Sequence, residues 1–247
     1  FIKMNINIDS VIGDIVAKNY KTAEVFRSYG VDFCCKGNRK LMDLSGSGSV
    51  EVEKLIHDLE KVQTDQKESG TEFNTWPLDL LTDYIEKKYH RYIEEKIPVI
   101  EEYLTKVCKV HGHGYNELFK IHEIFSASSE DLLNHMKKEE NILFPYIRKM
   151  VADERQGLCH KPPMFGSVKN PILMMEDEHT TEGDRYREIS VLSNNYTPPS
   201  NACNTFKVTF AMLQEFEEEL HEHIHLENNI LFPKAIRKEE SLIYQQN

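Results

Sequence analysis

Residues 135–145 read HMKKEENILFP and residues 223–233 read HIHLENNILFP. The two runs share a histidine, a glutamate four positions later and the string Asn-Ile-Leu-Phe-Pro, and they stand 88 residues apart. Two further histidines keep the same spacing: His90 precedes the first run by 45 residues and His179 precedes the second by 44. Around each copy apolar residues recur every three or four positions, the helical period. Leu132, His135, Glu139, Ile142 and Leu143 fall on one stripe, and Phe216, Leu220, His223, Glu227, Ile230 and Leu231 on another. His90 shares a stripe with Ile93, Ile97, Ile100 and Leu104, and His179 with Ile172, Met175, Tyr186 and Ile189. The chain therefore reads as two similar helical hairpins. Each offers a histidine on its first helix and His-x-x-x-Glu on its second.

Outward from the repeat, four long helical patterns run over about Leu78–Val110, Tyr115–Val151, Val168–Asn194 and Asn201–Arg237. The breaks between them, HGHG, GLCHKPPMFGS and NNYTPPSN, are turn sequences. Long helices joined by short breaks predict an all-α, up-down-up-down four-helix bundle. Kinks or ends are expected at Pro98, Pro145, Pro171 and Pro233, and the shared NILFP string is expected to pack at helix ends. Ahead of the bundle, a smaller helical unit starts near Asp9-Ser10, which can cap a helix. It has a C-cap at Gly30, a Gly/Ser turn at 45–49 and a helix over Val50–Val62. The expected organisation is a small helical domain over 1–63 with a vicinal cysteine pair, a polar linker over 64–76, and the bundle over 77–247.

Residues i and i+4 share a helix face, so His90, His135, Glu139, His179, His223 and Glu227 all take core-facing positions. A buried carboxylate is costly unless it is paired or bound to a metal. Four imidazoles and two carboxylates converging in a bundle suit two metal ions. Each ion would take two histidines, with both glutamates bridging and a solvent-derived oxo or hydroxo bridge completing the core. Imidazole-plus-carboxylate ligation is compatible with iron, manganese or zinc. Bridging carboxylates in a bundle favour di-iron or di-manganese, and zinc ranks lower because it prefers closed four-coordinate sites. Glu86 and Glu176, one turn before His90 and His179, are candidate acceptors for ligating imidazoles. His221 and His225 are rotated away from the His223 stripe and have no counterparts around His135, so they are expected to face solvent or lie behind the metal ligands. His111 and His113 read as loop polarity. His57, His122 and His160 carry no signal.

The 247 residues are 40% hydrophobic and 29% charged, with a net charge of −11. That composition supports a folded core, while the acidic balance argues against nucleic-acid binding. There is no membrane-length apolar run. The opening FIKMNINIDSVIGD lacks a signal peptide's apolar stretch; Met4 is a candidate start, and the expected location is cytoplasmic. Five cysteines, an odd number spread along the chain, read as reduced thiols. Cys108, Cys159 and Cys203 form no metal-ligand spacing.

The order YH (Tyr89-His90), HMKKEENILFP, MEDEH (Met175–His179) and HIHLENNILFP resembles the hemerythrin-like bundle of the Repair of Iron Centers family, the ScdA/YtfE-type iron–sulfur cluster repair di-iron proteins. YGVDFCCKG (Tyr29–Gly37) resembles that family's small amino-terminal domain with its vicinal cysteines. The resemblance covers nearly the whole chain. It implies a hemerythrin-like bundle behind a cysteine-bearing domain, and two non-haem iron ions on His90, His135, Glu139, His179, His223 and Glu227. It implies a stress-response role in restoring iron–sulfur proteins damaged by nitric oxide or oxidants. Whether such proteins donate iron, remove nitric oxide or convert it does not follow from the motif.

Adjacent α-carbons lie about 3.8 Å apart, below the roughly 4.4–6.8 Å of relaxed disulfides. A Cys34–Cys35 disulfide would be strained and easily reduced, which suits redox exchange, nitrosyl transfer or transient metal binding. Lys36 and Arg39 are expected to favour the thiolates. The leading expectation is a cytoplasmic repair protein. Its partners would be damaged iron–sulfur proteins and nitric oxide or oxygen, with no nucleic acid and no membrane. Two other readings stand beside it: a hemerythrin-like oxygen or nitric-oxide carrier or sensor, and a nitric-oxide-reducing oxidoreductase. The linker permits movement between domains, or exchange between the subunits of a homodimer.

Overall fold

The computed structural model describes residues 5–19, 21–47, 50–64, 72–158, 161 and 163–244. Met4, linker residues 65–71, Gly48-Ser49, Cys159 and His160 lie outside them. Among the described residues there is no strand, only an isolated antiparallel bridge between Val11 and Lys40.

Helix α1 (Ile12–Lys18) starts later than the Asp9-Ser10 signal suggests, behind an N-cap Val11 with no side-chain cap. The reason is local. Ser10 Oγ accepts from the Asn7 amide at 3.0 Å, and the Ile8 and Ser10 carbonyls are bound by the amides of Met42 and Leu41. Helix α2 (Thr22–Ser28) ends at Gly30, whose φ of 65° only glycine adopts without cost. A 3₁₀ stretch (Leu41–Ser47) and helix α3 (Val52–Thr64) complete this part.

Four long helices follow: α4 (78–111), α5 (117–156), α6 (Lys169–Leu192) and α7 (204–244). Three of them carry a wider π-turn, at Ile85–His90 in α4, Glu139–Leu143 in α5 and Glu227–Leu231 in α7. The NILFP strings therefore lie inside helices rather than at their ends. Pro145 and Pro233 cannot donate to the carbonyls of Asn141 and Asn229, and the wider turn ahead of each relieves the crowding. Leu143 is buried as expected, but Ile142, assigned to the same stripe, is 48% exposed.

Helix α4 packs on α5 and α7, and α5 on α6, while α6 and α7 touch least. The segment 32–36 covers the gap between α6 and α7 through the hydrogen bonds described below. Two apolar clusters fill the molecule. One joins the amino-terminal helices to one end of the bundle through Phe26, Leu55, Ile100, Phe125 and Phe216. The other fills the opposite end around Leu81, Phe144, Met150 and Phe232. Each such side chain contributes about 1.5–3 kcal/mol on burial, so both ends have their own driving force. The repeat's histidines and glutamates lie in neither cluster. No described helix is long and apolar enough to cross a membrane.

Candidate metal centre

The π-turns place the donors: His90 ends the one in α4, and Glu139 and Glu227 begin those in α5 and α7. Such turns recur at functional sites because they re-aim a side chain within a helix. His179 projects from regular α6. All six predicted residues are buried, with exposures of 0–3%, and they form two groups of converging ligand atoms. His90, Glu139, His223 and Glu227 make one; His135, Glu139, His179 and Glu227 make the other. Both glutamates belong to both groups, and each group draws on both hairpins.

Glu139 Oε2 lies 3.3 Å from His90 Nε2 and 3.5 Å from His135 Nε2. Glu227 lies 3.0 Å from His223 Nε2 and 3.2 Å from His179 Nε2. The Nε2 atoms of His135 and His179 are 3.0 Å apart. Within this layer both oxygens of Glu139 and of Glu227, His90 Nε2 and both ring nitrogens of His223 are buried without a properly formed hydrogen bond. Buried polar atoms normally find partners, so this set fits a cation that would satisfy them together. Burial alone would raise the Glu139 carboxyl, but His135 and His90 hold it well below the usual range. Glu227 is also lowered: burial and Glu139 raise it, and the imidazoles of His223 and His179 more than offset them. Both carboxylates are thus in the charged form that binds metal.

The outer ring nitrogens show how the imidazoles are aimed. His90 Nδ1 bonds Glu140 at 2.7 Å, His135 Nδ1 bonds Glu178 at 2.8 Å, and His179 Nδ1 bonds Asn228 Oδ1 at 2.8 Å. These acceptors fix the tautomer that turns Nε2 inward. They are not Glu86 and Glu176. Glu86 binds Arg148 Nη2 at 2.5 Å, and the Glu176 carboxyl is raised by burial while Asn228 occupies His179 Nδ1. Glu140 and Asn228 are repeat equivalents, each directly following a core glutamate. Phe144 stacks on His90 at 5.6 Å and Phe232 on His179 at 6.0 Å, so the shared phenylalanine of NILFP seals the same imidazole in each hairpin.

The cysteine pair sits on the second hairpin. Asp32 Oδ1 accepts from the amides of Cys34 and Cys35, at 3.2 and 2.9 Å, and orders the turn. The two sulfurs are 3.7 Å apart. Cys35 Sγ donates to the main-chain carbonyl of His179 at 3.2 Å. Asn228, which accepts from the His179 ring, donates to the Cys34 carbonyl at 3.3 Å. Gly183, one turn beyond His179, makes room for this contact: a Cβ there would stand 3.0 Å from Cys35 Sγ. Lys36 and Arg39 do not favour the Cys34 thiolate as expected. Arg39 bonds the carbonyls of Lys36 and Asp32. Its neighbour Cys35, burial and Asp32 push the Cys34 thiol well up.

Of the two places expected for His225, solvent is ruled out. It is buried, with its ring 5.8 Å from that of Phe33, and burial lowers its pKa to about 3. His221 is half-buried beside the same ring, at 6.4 Å. The amino-terminal helices cover this face, which the pattern of one helix cannot reveal. At the far end of the bundle His111 Nε2 meets Cys203 Sγ at 3.1 Å, a pairing across 92 residues.

An all-helical bundle with a central layer of histidines and glutamates defines the hemerythrin type. The model of the hemerythrin HHE cation binding domain matches residues 81–235. A second, ScdA_N, described as a domain of unknown function, matches residues 8–63. The chain is 31% identical over 227 residues to the iron–sulfur cluster repair protein ScdA of Staphylococcus haemolyticus, covering 92% of this chain and 97% of that one. It is 34% identical over 219 residues to the iron–sulfur cluster repair protein YtfE of Yersinia pseudotuberculosis, covering 89% and 93%. The chain belongs to the ScdA/YtfE family of iron–sulfur cluster repair proteins. Its hemerythrin-type domain implies a non-haem iron-binding site.

Proposed function

We propose that this chain restores iron–sulfur clusters damaged by nitric oxide or oxidants. It would hold two iron ions on His90, His135, Glu139, His179, His223 and Glu227 in the bundle of residues 77–247. The observation that carries this reading is the attachment of the cysteine turn to the donor layer: Cys35 Sγ bonds the carbonyl of His179, whose ring faces the centre. A gas carrier needs the donors alone; a thiol pair fastened to one of them suits exchange with a client. Iron bound there supplies redox chemistry and affinity for nitric oxide or oxygen. The residues do the rest. Glu139 and Glu227 hold the charge balance between the two groups. Glu140, Glu178 and Asn228 hold the Nδ1 protons outward. Phe144 and Phe232 keep water from two imidazoles. Cys34 and Cys35 serve as the exchanging pair. The location is cytoplasmic and the clients are damaged iron–sulfur proteins.

The test is anaerobic purification with iron assay and Mössbauer spectroscopy, followed by reactivation of nitric-oxide-damaged aconitase. Two irons per chain and reactivation are expected. Iron near zero, or full iron after His135→Ala with Glu139→Ala, sinks the assignment of the site. Reversible gas binding without reactivation returns the protein to the carrier or sensor class.

A further inference from the structure

A cavity of about 570 Å³ opens between the cysteine turn and helices α6 and α7, and Cys34 lines it. Its size is that of a small-molecule site, and it lies where two packed units meet, a common place for one. Its walls carry both signs of charge, with Arg27 and Arg187 as cations and Asp32 and Glu217 as carboxyls. Arg27 stands 3.5 Å from Glu218, while Arg187 pairs with Asp184 through one nitrogen and leaves the other 3.5 Å from Asp32.

Two observations mark the cavity as built rather than left over. Tyr196 lines it with 8% exposure, and its hydroxyl has the Glu217 carboxyl as its neighbour, in poor hydrogen-bond geometry. A buried hydroxyl so weakly satisfied is costly; a polar ligand atom would complete it. The wall also holds strain. Asn194, Asn195 and Tyr196 have φ of 51°, 53° and 55°, three consecutive non-glycine residues in the left-handed region. Such strain gathers at binding sites.

We infer that this cavity binds a low-molecular-weight zwitterionic thiol, an amino-acid or small-peptide thiol, and presents its sulfur to Cys34. The guanidiniums of Arg27 and Arg187 match its carboxylates, and Asp32 and Glu217 match its ammonium. The Cys34–Cys35 pair is where such a sulfur reacts. The inference rests on the reading of that pair as an exchanging group, and it names the reductant that resets it. A hydroperoxide takes two electrons and two protons from the two thiols, giving the disulfide, an alcohol and water. The ligand sulfur then bonds to Cys34 Sγ as the Cys34–Cys35 bond breaks, and Cys35 leaves as a thiol with the ligand's proton. A second ligand thiol attacks the ligand sulfur of that mixed disulfide, releasing the ligand disulfide and Cys34 as a thiol. Two electrons pass from two ligand thiols to the pair.

The test uses the full iron-loaded chain and two probes, S-methylglutathione, which cannot exchange, and glutathione disulfide. Calorimetry should show one saturable S-methylglutathione site. Arg187→Ala and Arg27→Ala should each weaken it about tenfold, the loss of one charge-assisted contact. In Cys35→Ser, glutathione disulfide should label Cys34, mapped by mass spectrometry, at a rate that saturates with concentration, and Arg187→Ala should raise the half-saturating concentration about tenfold. No saturable site, labelling that never saturates, unchanged binding in both arginine variants, or binding of cysteine peptides from iron–sulfur proteins but not of S-methylglutathione overturns the inference. Aconitase reactivation driven by dithiothreitol reads the repair function separately. Its absence beside intact S-methylglutathione binding breaks the repair reading alone.

Discussion

The two hairpins of the bundle carry the same donors but not the same neighbours. His90, His135, Glu139 and Phe144 in the first correspond to His179, His223, Glu227 and Phe232 in the second, and each set occupies equivalent places. Three of the departures in the second cluster in space. Gly183 stands where the first has exposed Glu94, buried His225 where it has exposed Lys137, and Asn228 where it has Glu140. All three face the cysteine segment: Gly183 makes room for Cys35 Sγ, His225 packs on Phe33, and Asn228 bonds the Cys34 carbonyl. What the repeat keeps builds the donor layer. What it breaks, with the shared Asn229 bonding the Phe33 and Cys34 carbonyls, builds the seat for the thiols.

The largest effect should come where the hairpins are equal. Glu139→Ala and Glu227→Ala each remove a donor shared by both groups, so each should leave about one iron or less per chain by metal assay. Equal losses confirm equivalence; retention of both irons in either variant breaks it. Next come the acceptors that differ. Glu140→Gln and Asn228→Ala should each weaken metal retention roughly 10–100-fold in chelator competition, as such outer partners commonly do. Only Asn228→Ala should also speed thiol labelling of Cys34, because Asn228, unlike Glu140, donates to the Cys34 carbonyl.

Gly183→Ala sharpens the contrast further. Its Cβ would press on Cys35 Sγ at 3.0 Å, and overpacking of this kind costs roughly 1–3 kcal/mol, less the ~1 kcal/mol alanine gains in a helix. Glu94→Ala, at the matching exposed position, should stay within about 0.5 kcal/mol by chemical denaturation.

The smallest effect concerns Glu217, whose repeat partner is Ser129. Burial pushes the Glu217 carboxyl up to about 7, while an unfolded glutamate titrates near 4.3. Between those values the folded chain holds more protons than the unfolded one, so this group lowers stability as pH rises through that window. The penalty is absent below it and complete above about 7. Glu217→Gln should remove roughly 1 kcal/mol of pH dependence, discounted for partial exposure. Ser129→Ala, which removes a hydroxyl bonded to the Phe125 carbonyl, should leave the pH profile unchanged.

Much of this was legible in one dimension. The helical period and the repeat pointed to the bundle class and to six residues that the structure brings together in one buried layer, because i, i+4 spacing along a helix converts directly into a face. The π-turns were not legible: the prolines at 145 and 233 suggested helix ends, whereas a wider turn absorbs each within a continuous helix. The imidazole acceptors were misplaced for a related reason. Glu86 and Glu176 lie one turn from the histidines on the same helix, but Glu140, Glu178 and Asn228 reach across from neighbouring helices. Single-helix periodicity carries no record of such crossings. The burial of His225 was not legible either, because the surface that buries it comes from residue 33, nearly two hundred positions away.

The polar layer lies between two apolar clusters, each with its own packing. The ends of the molecule are thus held by apolar burial, while the slab between them is governed by electrostatics. Two carboxylates and four rings there leave polar atoms that a single cationic charge would satisfy together, so the same few residues that cost the fold most are the ones that define what it can hold.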